Sequence, residues 1–267
     1  MTDPLTYASA GLLSSVQRAL RVLETVASAG DGITAKAVAR RTGFKLPTTY
    51  HLLNTLVYEG YLVRLNNARG YGLGYKISEL HQRLADAIEV PPAVTDVLQE
   101  VHRRARAAVY YAVMRDGELV VAEVADSPLA PRAQPLGLGF HEAPHATAFG
   151  KVLMAAMTPQ QLRAYLAGTG LPQLTPHTVT RLADLEAELD VVRDRGLAQE
   201  VEEFIPDLAC IGAPVRTADG RVRAALALSV PNGVFRARRS ELARMARQGA
   251  ARISRSLTLQ DGRALPS

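Results

Sequence analysis

Few residues in this chain are spaced for chemistry, and each such group has a plain structural reading. His141 and His145 stand four apart, a spacing that on a helix could bring two ring nitrogens to one metal. Pro144 interrupts any helix between them and no third ligand lies nearby, so capping or core histidines are expected and no metal site is assigned. The run "HATAFGKV", 145–152, ends in Gly-Lys like a phosphate-binding loop, but has His145 where that loop needs glycine and Val152 where it needs Ser or Thr. Nucleotide binding is rejected, and no cofactor is expected. Cys210 is the single cysteine, which excludes an internal disulfide and a cysteine zinc cluster. A thiol nucleophile would need a base and an orienting group beside it. The surrounding "LACIGAPV" offers neither, so a buried, inert cysteine is expected and no catalytic residue is assigned. In "QEVEEF", a strand would put Glu200 and Glu202 on one face and Glu203 on the other, as on a solvated edge strand.

The stretch "RTGFKLPTTYHLLNTLVYEGYL", 41–62, carries more. At 100° per residue, a helix over 47–58 gathers Thr49, Leu52, Leu53 and Leu56 into an apolar stripe and turns His51, Asn54 and Tyr58 outward. Thr48 and Thr55 flank that outer face on one side and Tyr50 on the other. Asparagine can pair with adenine through two hydrogen bonds, and threonine can touch a thymine methyl. The outer face lacks lysine and arginine, but phosphate contacts rather than base contacts need charge. Lys36, Arg40, Arg41 and Lys45 precede the helix, and Arg64 and Arg69 follow it. The expected DNA-contact set is Lys36, Lys45, Thr48, Thr49, Tyr50, His51, Asn54, Arg64 and Arg69. The alternatives are a module of the same shape used for protein contacts and, further off, a thiol enzyme in the second half of the chain.

These residues need elements to position them. Helices are expected over 14–28, with Val16, Leu20, Leu23 and Ala27 inward and Ser14 or Ser15 as cap, and over 35–41, capped by Thr34. Gly43 makes the turn into the 47–58 helix, and apolar runs at 61–65 and 71–73 around "NNARG" read as a β-hairpin. Three short helices and a hairpin make a winged helix-turn-helix over 1–75. A helix over 76–88 with Ile77, Leu80, Leu84 and Ile88 in phase serves as a linker, 76–91, ended by Pro91-Pro92. Beyond it, in 92–267, a helix over 93–106 leads to strands at 109–114, 118–124, 198–203, 208–215 and 222–230. Helices fall at 146–157, 159–167, 182–195 and 239–257, the last with a basic outer face. Antiparallel hairpins with helices packed on them give an α+β class.

Composition fits this plan. Of 267 residues, 48% are apolar and 21% charged, the balance of a globular protein. No long apolar run or secretory leader is seen, so no membrane partner is expected and a cytoplasmic location is. The net charge is +5, and residues 1–80 hold nine Lys/Arg against five Asp/Glu, so most of the excess lies in the DNA-binding third.

The order and spacing of "SSVQRALRVLE", "ITAKAVARRTGF", "TTYHLLNTLVYEGYL", "YGLGYKISEL", "HATAFGKVLMA", "VRDRGLAQEVEEF", "CIGAPV" and "DGRVRAALALSVP" resemble the IclR family of bacterial transcriptional regulators. The resemblance spans about 14–257. It implies a winged helix on double-stranded operator DNA, a linker helix, and a GAF/PAS-like antiparallel-sheet domain holding a small organic effector, acidic or aromatic. It further implies a homodimer or dimer of dimers paired through the N-terminal domain and linker. By motif, the effector pocket would include Ala148, Phe149, Glu200, Leu208, Cys210, Ala227 and Ser229. The family often has Asp at Glu200, a second Ser at Ala227 and a smaller residue at Phe149, which points to a ligand more apolar than a two-carbon acid. It also often has Lys-Ser-Thr where Leu46-Pro47-Thr48 stand, Arg at His51 and Arg at Gly72, so the operator is expected to differ from that of relatives.

Overall fold

The computed structural model describes residues 12–30, 32–65, 70–87, 90–115, 117–140 and 142–261. The chain divides into two compact units, 1–87 and 88–267.

In the first unit, helices α1 (Ser14–Ala27), α2 (Ala35–Thr42) and α3 (Leu46–Tyr58) precede an antiparallel pair, β1 (Leu62–Leu65) and β2 (Gly70–Leu73), and helix α4 (Tyr75–Ala87). The α2 start is fixed as expected: the Thr34 hydroxyl accepts from the Ala37 N–H. Its end is fixed by Gly43, whose φ of 72° suits glycine and turns the chain into α3. Pro47 sits in the first turn of α3, where the missing N–H costs nothing. Val22, Val26, Val38, Leu53, Leu56 and Leu62 form the core, joined by Tyr71, whose backbone bridges to Ile33. Gly70 permits that bridge, because a Cβ there would lie 2.3 Å from the Ile33 carbonyl oxygen.

The inward face expected for α1 is corrected. Val22 and Val26 are buried, Leu23 partly so, whereas Val16 and Leu20 are about half exposed and Ala27 is exposed. Neither Ser14 nor Ser15 caps the helix; Leu13 holds that position without a side-chain bond. The helix carries apolar residues on two sides, and the core takes the one nearer its C-terminus.

The second unit opens with α5 (Pro92–Ala105) and the hairpin of β3 (Ala108–Arg115) and β4 (Glu118–Ala125). Helices α6 (Ala148–Ala155), α7 (Pro159–Thr169) and α8 (Leu182–Arg195) follow, then β5 (Ala198–Val201), β6 (Leu208–Arg216), β7 (Val222–Pro231) and the long α9 (Asn232–Asp261). The five strands form one antiparallel sheet in the order β4-β3-β7-β6-β5. Alternation along each strand sends side chains to two cores. On one face, Leu226, Leu228 and Ile211 meet α5 and α9, the latter through Leu242, Ala246, Ala250, Ile253 and Leu257 at helical spacing. The other face meets α6, α8 and the described segments 126–140 and 142–147 through Ala225, Ala227, Cys210, Phe149, Leu153 and Leu189.

Candidate functional site

Two polar groupings stand out, one exposed and one buried, each in its own unit. On α3 the outward face expected from periodicity is present. Tyr50, His51, Asn54, Thr55 and Tyr58 are exposed and Thr48 is half-buried. Thr49 is corrected: it is fully buried and its hydroxyl donates to the Lys45 carbonyl, so it belongs to the core and not to a DNA-facing set. Lys36, Arg40, Arg41 and Lys45 are exposed around the α2–α3 corner, and Arg64 is exposed on β1. Arg69, His141 and the turn residue Asp116 lie outside the described residues. One contact was not foreseen: Arg64 Nη2 donates to Asn54 Oδ1 at 2.7 Å. A base-reading candidate and a phosphate-binding candidate are therefore joined, and the bond leaves the Asn54 amide N–H groups free to donate. Lys76, at the start of α4, donates to the Glu59 carbonyl and lies 5.0 Å over the Tyr61 ring, which pins α4 to the end of α3.

In the second unit, sheet register builds a polar row across four strands. Glu200 on β5 pairs with Cys210 on β6, Cys210 with Ser229 on β7, and Ser229 with Ala108 on β3. Two residues further along β3, Tyr110 faces the same side, and its hydroxyl lies 3.2 Å from Ser229 Oγ while accepting from the Ala133 N–H. Ala227 pairs with Tyr110, and Ala148 and Phe149 open the helix above. All of these are buried, and Leu208 is partly so. Aromatic rings close over the row: Phe149 lies 6.0 Å from Tyr110 and 6.4 Å from Phe140, and Phe140 lies 5.4 Å from Phe204. Tyr110, Phe140 and Phe204 carried no sequence signal beyond their apolar surroundings. Register brings Tyr110 to Ser229, while Phe140 and Phe204 arrive from segments outside the strands, the first held by its carbonyl to the Val121 N–H and the second by its N–H to Glu200.

The solvated-strand reading of "QEVEEF" is overturned. β5 is an edge strand and ends at Val201, after which the chain turns so that both Glu200 and Glu203 are buried. Glu200 Oε1 accepts from the Glu203 and Phe204 N–H groups, while its buried Oε2 has no hydrogen-bond partner of ordinary geometry. Burial pushes its pKa up to about 7, against the opposing pull of the Cys210 thiol and those N–H groups. Glu203 is raised chiefly by burial and drawn back by Lys151, whose Nζ sits 2.6 Å from Glu203 and 2.6 Å from Glu188. Lys151 is only 1% exposed, a charge held inside an apolar helix by two carboxylates. Cys210 is held neutral by burial and by Glu200, so the thiol-nucleophile alternative lacks an activated sulfur.

The Gly-Lys pair of "HATAFGKV" has a structural role instead. Thr147 caps α6 by accepting from the Gly150 N–H, and a Cβ on Gly150 would lie 2.0 Å from the Pro144 carbonyl oxygen. His145 is a core histidine: its Nε2 donates to the Pro172 carbonyl, and burial lowers its pKa. Among the described residues, no three His, Cys, Asp or Glu side chains are placed to hold a metal, and no helix is long and apolar enough to cross a membrane.

Comparison with known proteins bears on both groupings. Residues 15–65 match the IclR helix-turn-helix domain, and residues 82–255 match the C-terminal domain of IclR-type bacterial transcriptional regulators. The regulator XynR of Escherichia coli is 29% identical over 82% of this chain and 86% of its own, and TtgV of Pseudomonas putida is 30% identical over 73% and 74%. Among solved structures, Thermotoga maritima IclR superposes with a TM-score of 0.72 at 23% identity, covering 91% of this chain and 98% of that one. An IclR homologue of Microbacterium hydrocarbonoxydans, solved with 4-hydroxybenzoate, gives 0.66 at 24% identity, covering 91% and 99%. At these identities the structural likeness speaks for the fold alone. Both matched domains together cover most of the sequence, and the chain belongs to the IclR family of bacterial transcriptional regulators, with a helix-turn-helix DNA-binding unit and a C-terminal ligand-binding domain.

Proposed function

We propose that α3 enters the major groove of operator DNA and that the buried row of the second unit receives a small organic effector that alters operator affinity. The observation that carries the first half is the outer face of α3. Its exposed His51, Asn54 and Thr55, with Thr48 and Tyr50 beside them, are polar groups without a core to serve, and Lys36, Lys45 and Arg64 are exposed on the same unit, Arg64 touching Asn54. Asn54 reads a base edge, and Arg64 orients it while meeting a phosphate. Arg69, between β1 and β2 in sequence, adds a phosphate contact. Exposed Leu20 on α1 and Leu80 and Leu84 on α4 are apolar surface of the kind a second copy covers. A two-fold dimer, alone or doubled, would then read an inverted-repeat operator in the cytoplasm. The 76–91 linker couples the two domains, 1–75 and 92–267, because it lies between them in the chain.

For the effector, the row supports an aromatic ring bearing a hydroxyl. Phe140, Phe149 and Phe204 offer apolar faces, while Ser229, Tyr110 and the free Oε2 of Glu200 offer directional bonds. An anionic ligand there favours protonated Glu200, since two adjacent buried carboxylates repel. The 4-hydroxybenzoate bound by the M. hydrocarbonoxydans homologue has this chemistry and is the first compound to try.

The test is a gel-shift series with the duplex upstream of the gene, across salt concentration, with and without 4-hydroxybenzoate, benzoate and phenol. Specific retardation that weakens steeply with salt supports the regulator. No preference over competitor DNA would favour a protein-binding winged helix instead.

A further inference from the structure

A cavity of about 380 Å³ opens between α8, β5 and α9, away from the Glu200 row. Its charged lining is one-sided. Lys151, Arg195, Arg239 and Arg247 face a single carboxylate, Glu188. That is an excess of three positive charges, and counting Glu203, which reaches Lys151 as well, still leaves two. The arginines are exposed and come from two helices.

Part of this arrangement is structural. Arg247 donates one bond to the Arg195 carbonyl at the C-terminus of α8, where a cation complements the helix dipole. Arg239 donates one to the Gln199 side chain. Each guanidinium has five N–H donors in a planar fork, so each keeps most of its capacity for an oxyanion. Holding several like charges around one hollow costs energy that a multiply charged anion offsets and a single-charged one offsets only in part. Val191, Val192 and Leu197 supply an apolar patch in the same wall, enough for the carbon frame of a small molecule.

We propose that this cavity is a second ligand site, separate from the effector row, taking a small polyanion of the phosphorylated or polycarboxylate class. Arg195, Arg239 and Arg247 grip its oxyanions, and Lys151 supports the wall through its bond to Glu188. The site also has a route to the row, because Lys151 bonds Glu203 and the Glu203 N–H donates to Glu200.

The experiment is isothermal titration calorimetry of the full chain with pyrophosphate, citrate and acetate at near-physiological ionic strength. One saturable site per chain is expected for pyrophosphate or citrate, with acetate much weaker; whichever polyanion binds tighter identifies phosphate or carboxylate as the natural group. The Arg239→Gln/Arg247→Gln pair should weaken binding roughly tenfold for each guanidinium removed. Arg163→Gln, which removes one positive charge at an exposed position of α7 and so matches each single guanidinium lost, should leave it unaltered. Circular dichroism checks folding, and should the pair fail to fold, Arg195→Gln alone at the exposed end of α8 should give the single tenfold loss. No saturable binding of either polyanion, or equal weakening by Arg163→Gln, overturns the proposal.

Discussion

The outer face of α3 and the buried row of the sheet are both polar, yet their polar atoms are held in opposite ways. On α3, His51, Asn54 and Thr55 are exposed, and although Asn54 accepts from Arg64 and Thr55 donates to the His51 carbonyl, water can satisfy whatever polar atoms remain. In the second unit, Glu200, Glu203, Lys151, Ser229 and Tyr110 have left water, and nearly every polar atom is matched to a named partner. Exposed polar groups can change specificity with little effect on folding, whereas buried ones bind and stabilise with the same atoms. Under the proposed assignment, the face that reads DNA is free to vary, whereas the row that receives the effector is tied to stability.

The comparison breaks most visibly at Lys151. Lys151→Met strands Glu203 in the core and should cost roughly 3 kcal/mol, more at pH 8 than at pH 5, where Glu203 can take up a proton and lose its unpaired charge. Urea unfolding followed by circular dichroism reads this, and a loss below about 0.5 kcal/mol, the size of an ordinary surface change, would refute the buried network.

Glu200 gives a pH signature. Its pKa in the folded chain is raised to about 7 from the ordinary 4.5, so the folded state holds the proton more tightly than the unfolded one. Its contribution is most favourable below pH 4.5 and is lost as pH rises toward 7, by up to about 3 kcal/mol. Unfolding free energies of the wild type minus those of Glu200→Gln should fall across that window; a flat difference would remove Glu200 from the buried set.

Tyr110→Phe deletes the bond to Ser229 and leaves the Ala133 N–H without its acceptor, for about 1–2 kcal/mol. At the exposed face, Asn54→Ala and Arg64→Ala should each move stability by less than about 0.5 kcal/mol in the same unfolding assay. Their effects belong on DNA: Arg64→Ala lowers affinity on all sequences, while Asn54→Ala relaxes one base position. Equal losses on every sequence for both would mean that their hydrogen bond makes them one unit.

The two regions also differed in how far they could be read from sequence. The α3 face followed from 100° periodicity, because an exposed helix needs only its own residues to be phased. Thr49 was the exception, since one residue in the apolar stripe cannot also face outward. The α1 face was misjudged because Val16 and Leu20 are as apolar as Val22 and Val26, and only packing chooses between them. The strands and turns of the second unit were legible from apolar runs and Gly signals, including the buried, inert Cys210. Its electrostatics were not: Lys151, Glu188 and Glu203 come from three elements separated by as many as 52 residues, and no local pattern marks a charge that will be buried by distant partners. The one hint was a lysine in the otherwise apolar "TAFGKVLMA".

The central claim, that α3 reads bases with side chains free of any folding duty, is tested most directly by selection from a randomised duplex library at one salt concentration, followed by sequencing. Wild type should enrich a two-fold symmetric motif, and Asn54→Ala should enrich the same motif with one position per half-site degenerate. An unchanged motif, or no enrichment by wild type at all, would contradict it.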